Sequence, residues 1–78
     1  MNEWLAKRAD ALAETAHVDR AILELGSRDI QTLLDLAGFA ARESGARTNA
    51  PLLCYLVGLS RGGGTSLDEL AEILRSTS

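Results

Sequence analysis

Seventy-eight residues, 46% hydrophobic and 24% charged with a net charge of −3, describe one globular domain near the lower size limit for independent folding. The acidic balance disfavours a nucleic-acid or anionic-membrane binder, both of which rest on a basic surface. No apolar stretch approaches the ~20 residues that a bilayer requires, no basic-then-apolar leader is visible at the amino terminus, and the single cysteine, Cys54, allows no intrachain disulfide and fits a reducing cytoplasm.

Leu and Ala dominate while Val, Ile and Thr are few, which favours helix over strand. Asn2 is placed to cap a first helix over about 3–15, with Glu3 in its first turn. Trp4, Leu5, Ala9, Leu12, Ala13 and Ala16 recur on it at helical spacing. His17 follows as a solvated or carbonyl-bonding residue at the helix end; without a second histidine it is a poor metal ligand. Residues 18–25 read either as a short helix, with Val18, Ile22 and Leu25 on one side and Gly26 behind them, or as a loose connector.

Ser27 is expected to cap a second helix over 28–44, ended by Gly45. Its buried face holds Ile30, Leu33, Leu34, Ala37, Ala40, Ala41 and Ser44, widened by Leu36 and Phe39. Gly38 and the pair Ala40-Ala41 would let a neighbouring helix approach closely. Asp35 interrupts the apolar run and is expected to face solvent.

The third helix, about 49–60, carries no charge between Thr48 and Ser60. Thr48 or Asn49 would cap it, and Pro51 is tolerated in its first turn. Leu52, Leu53, Leu56 and Leu59 form a stripe, and Cys54, Tyr55 and Val57 add apolar atoms elsewhere on the helix. A helix apolar nearly all round is either the centre of a small bundle or shared with a partner. The central reading makes Leu56 a core residue whose truncation costs ~2–5 kcal/mol, and Cys54 a buried, inert thiol.

Arg61-Gly62-Gly63-Gly64 then breaks the chain. Ser66-Leu67-Asp68-Glu69 has the form of a capping box, opening a last helix that fades at Arg75. Leu67, Leu70, Ala71 and Leu74 are its buried face; Asp68, Glu69 and Glu72 are its wet face.

Candidate chemistry is sparse. The glycine run lacks the lysine and the preceding strand of a phosphate loop, so it reads as a turn. No serine, threonine or cysteine has an evident base, and no pair of carboxylates has an acid–base arrangement. No catalytic residue, cofactor or metal is expected. Arg42 and Arg47 stand near the amino terminus of the third helix, whose partial positive charge could add to theirs against an anion or an acidic partner. Ordinary solvated arginines are the blander reading.

The segments Asn2-Glu3-Trp4-Leu5, Leu33-Leu34-Asp35-Leu36-Ala37, Ala50-Pro51-Leu52 and Leu56-Val57-Gly58-Leu59 occur in an order that resembles a small actinobacterial domain of unknown function. That domain occurs alone or behind nucleotidyltransferases resembling molybdopterin-guanine dinucleotide synthase. Its members tend to carry a histidine where this chain has Arg42 and Glu43, so no polar site transfers. The resemblance implies a neighbourhood near molybdenum cofactor guanylylation and no mechanism.

The resulting expectation is an all-α fold in one domain over 1–78: a compact four-helix bundle, with a short fifth helix left open at 18–25 and a central apolar helix at 49–60. The expected function is a non-catalytic helical interaction or accessory module. The alternative is a small anionic-ligand-binding domain using Arg42, Arg47 and a helix amino terminus. Expected partners are a protein, a nucleotidyltransferase by the resemblance, and on even terms a second copy, docked through the third helix or through the first with Trp4; neither nucleic acid nor membrane is expected.

Overall fold

A computed structural model describes residues 1–77. Among these the chain is all-α, without a β-strand: α1 (Glu3–Ala16), α2 (Ser27–Ser44), α3 (Asn49–Ser60) and α4 (Leu67–Ser76), with 3-10 turns at Arg20–Leu23 and Arg61–Gly63. The chain divides into two units that part between Ile30 and Gln31, inside α2.

In the first unit, the Asn2 side chain accepts the Leu5 N–H at 2.9 Å and starts α1. The helix ends where His17 turns left-handed, at φ 57° and ψ 42°. The N–H groups of His17 and Val18 both donate to the Ala13 carbonyl there. His17 therefore closes the helix through its backbone, in a conformation that a side chain makes costly.

Residues 18–25 resolve into the short 3-10 turn. Asp19 caps it by accepting the Ala21 N–H at 3.0 Å. Arg20 reaches back to Asp10 on α1 at 2.7 Å and forward to Glu24 at 3.0 Å. The Asp10 hydrogen bond raises the Arg20 pKa above its ordinary value; desolvation opposes this and Glu24 reinforces it. The trio joins the turn to α1 but is too exposed to contribute much stability. The inner side of α1 is made of alanines: Ala9 is buried, and Ala6 and Ala13 are half-buried. Trp4, Leu5 and Leu12, which recur at the helical spacing, are exposed, and the Arg8 guanidinium covers the Trp4 ring at 4.1 Å.

The second unit holds the rest of α2, α3 and α4. Helix α2 begins in the first unit, where Ser27 is its first helical residue and not its cap; the Gly26 carbonyl accepts the Ile30 N–H at 3.0 Å. Leu36, with no exposed surface, is the centre of the buried face, and Ala40 is buried beside it on the next turn. Leu34 lies outside that face at 63% exposure. Gly38 does not receive a neighbouring helix. A Cβ there would meet the Arg42 guanidinium at 2.9 Å, because Arg42 folds back over it. Gly45, at φ 73°, ends α2 in the left-handed region that glycine tolerates.

No side chain caps α3. Thr48 precedes it without a side-chain bond, and Asn49 is already helical. The Ala46 and Arg47 carbonyls instead accept the N–H groups of Asn49 and Ala50, at 3.0 and 3.1 Å. Pro51 follows and has no N–H to satisfy. The helix tightens into the 3-10 turn and stops at Gly64, φ 88°. Ser66 then caps α4 by accepting the Glu69 N–H at 3.2 Å, and its hydroxyl donates to the Glu69 carboxylate at 3.1 Å. The expected box thus closes side chain to side chain, and α4 runs to Ser76, one residue past Arg75. The core of this unit is Leu36, Val57, Leu67 and Ala71, with Leu33, Leu70 and Leu74 packed around them.

Candidate docking surface

Helix α3 is not enclosed. Val57 is its one buried residue, at 3% exposure, and Ala50, Leu53 and Cys54 are half-buried on the same side. Most of the stripe expected inside faces out instead: Leu52, Leu56 and Leu59 are 57–62% exposed, and Tyr55 beside them is 68% exposed. A helix turns 100° per residue, so one neighbouring layer covers positions 50, 53–54 and 57 and leaves 52, 55–56 and 59 open. Exposed apolar side chains scattered singly are ordinary; four on one side of one helix form a patch.

A groove of about 380 Å³ continues this patch. Phe39 of α2, Leu52, Leu53 and Leu56 of α3 and Leu74 of α4 make its walls, with Glu43 and Asn49 at its polar margin. Its walls are mainly apolar, and Ser44 and Thr77 join Glu43 and Asn49 as its polar side chains.

Arg42 and Arg47 are both exposed. Arg42 leans one turn toward the start of α2, over Gly38, while Arg47 lies in the turn beyond the end of that helix. A helix amino terminus attracts anions through unpaired N–H groups. At α3 the first two N–H groups are taken by Ala46 and Arg47, and the third residue is proline. The start of α4 is no better suited: Ser66 occupies the Glu69 N–H, and Asp68 and Glu69 put two carboxylates in the first turn.

The other singled-out residues have structural roles. Asp35 faces solvent and accepts from Gln31 at 2.9 Å. Cys54 is half-buried with Sγ 3.9 Å from the Leu33 carbonyl, and desolvation raises its pKa, which disfavours the reactive thiolate. Among the described residues, no group of three His, Cys, Asp or Glu is placed to hold a metal ion, and no helix is long and apolar enough to cross a membrane.

The open side of α3 was hidden in the sequence because a helix without polar residues does not mark its outer face. The available signal was supply. The two neighbouring helices bury only Leu36, Ala40, Leu67 and Ala71, too few to surround a third.

Fold and surface define an all-α module that presents an apolar face to its surroundings. This chain belongs to the family described as Domain of unknown function (DUF6457), whose profile matches residues 1–78. No curated protein and no solved structure matches it. The motif order Trp4-Leu5, Leu33 to Ala37, Ala50-Pro51-Leu52 and Leu56 to Leu59 is thus read within a family whose function is open.

Proposed function

We propose that this chain is a non-catalytic interaction module that docks a protein through the open face of α3. The observation that supports it is the exposure of Leu52, Tyr55, Leu56 and Leu59 together on a helix with no formal charge. Clustered exposed leucines and an aromatic in a soluble chain cost solvation free energy that a partner would recover on binding. The partner to test first is a nucleotidyltransferase of the molybdopterin-guanine dinucleotide synthase type, to which the motif resemblance points, in an actinobacterial, cytoplasmic setting. Arg42 and Arg47 lie outside the apolar stripe and would meet acidic groups at the margin of such a contact.

Calorimetry with that enzyme from the same organism tests the reading. Leu56→Asp should abolish binding, and Arg42→Ala with Arg47→Ala should weaken it by a smaller factor. Tight binding of a free nucleotide, lost with the two arginines and indifferent to Leu56→Asp, would establish the anionic-ligand alternative instead.

A further inference from the structure

We propose that the groove between α2, α3 and α4 is a small-molecule site for an apolar primary amine, its hydrocarbon body against the walls and its ammonium at the Glu43 margin. This goes beyond the docking reading and does not rest on it, although Leu52 and Leu56 belong to both surfaces.

The groove is built inside one unit. Its lining runs from Phe39 to Thr77, all within the second unit. Its volume, about 380 Å³, falls in the range of small-ligand pockets. Phe39 from α2, Leu53 from α3 and Leu74 from α4 are each half-buried, so the packing of three helices holds the walls in place. A hydrocarbon body laid against them leaves water, which supplies affinity but does not select a head group.

The polar margin makes that selection. The Ser44 Oγ lies 2.6 Å from the Ala40 carbonyl oxygen, and the Thr77 Oγ1 lies 2.9 Å from that of Leu74. A carbonyl oxygen only accepts, so each hydroxyl directs its single hydrogen at the backbone. What each has left is lone pairs, one of which on Ser44 already takes the Ala46 N–H. The Glu43 carboxylate also only accepts. Among the side chains of the margin, the Asn49 amide alone brings donors.

The margin therefore offers mainly acceptors, and the one formal charge in the lining is negative. A carboxylate or phosphate head would meet a like charge and few donors. An alcohol brings one hydrogen. An ammonium brings three and the opposite charge. Neither Arg42 nor Arg47 lines the groove, and the Arg42 guanidinium is held over Gly38. The net charge of −3 favours approach of a cation.

Titration of isotope-labelled protein with n-octylamine, followed by amide chemical shifts, tests this. n-Octanol and octanoate, of the same chain length, serve as comparisons. The amine should bind in the millimolar range, move the amides of Phe39, Asn49 and Leu53, and bind at least ~3-fold more tightly than either comparison. Glu43→Gln, an exposed change that leaves the fold intact, should bring the amine down to the level of the alcohol and leave the alcohol unchanged. Added salt should weaken the amine and not the alcohol. Equal affinity for amine and alcohol, or tighter binding of octanoate, would overturn the ammonium assignment. Shifts confined to Tyr55 and Leu59, which lie outside the groove, or no shifts at ~10 mM, would overturn the site. Binding of the nucleotidyltransferase that Leu56→Asp abolishes and Glu43→Gln spares would uphold the docking reading whichever way the amine result falls.

Discussion

Helices α3 and α4 belong to the same unit and are both rich in leucine, yet they bury themselves differently. Helix α4 alternates Leu67, Leu70, Ala71 and Leu74 with Asp68, Glu69 and Glu72, and its buried side is the side that this spacing marks. Helix α3 offers apolar atoms on every side, and the residue that reaches the core is Val57, while Leu52, Leu56 and Leu59 stay open. The polar residues carry the information. Where they are present they designate the outer face, and the inner face follows; where they are missing, neighbouring helices decide, and those lie far away in sequence. An apolar helix therefore signals contact without saying with what.

Substitutions can break or sharpen that contrast. The largest effect should come from Leu36→Ala, in the core that both helices share. Leu36 has no exposed surface, so the cavity should cost ~2–5 kcal/mol in a denaturant melt. Leu34→Ala, two residues away at 63% exposure, should fall within about 0.5 kcal/mol of the unaltered protein. Equal losses at the two positions would mean that α2 is rotated from the arrangement described.

A smaller effect is expected where α4 begins. Ser66→Ala removes the acceptor for the Glu69 N–H and the donor to the Glu69 carboxylate, and should cost ~1 kcal/mol. Ser66→Asp, which restores an acceptor, should recover most of that loss. Smaller still, and opposite in sign, is His17→Gly in the first unit. Glycine adopts the left-handed turn without a Cβ penalty, so stability should rise by ~0.5–1 kcal/mol. A loss on that change would show that the imidazole makes a contact beyond its backbone role.

The helices themselves were legible because their ends are written locally. Asn2 caps, Gly45 and Gly64 break, and Ser66 with Glu69 closes a box, all within a few residues of the boundary they set. The turn at Arg20–Leu23 was half legible. Asp19 is a local cap, but the contact that ties the turn to α1, Arg20 with Asp10, joins residues ten apart on two elements. The start of α3 misled for a related reason. Thr48 and Asn49 are good capping residues, yet the carbonyls of Ala46 and Arg47 satisfy the turn and leave their side chains unused for it. The open face of α3 was least legible of all. Arg42 and Arg47 attract notice by charge, but one leans away over Gly38, and the open patch is made of residues that composition alone assigns to a core.

The central claim is that α3 has one buried side and one side kept for a partner. Denaturant melts of Val57→Ala and Leu56→Ala, at protein concentrations too low for self-association, test it most directly. Val57 is 3% exposed and Leu56 is 57% exposed. The account predicts that the smaller truncation is the more damaging, with Val57→Ala costing more than ~1 kcal/mol and Leu56→Ala less than ~0.5 kcal/mol. If Leu56→Ala proved the worse of the two, the leucine stripe would be core and α3 would have no face to offer.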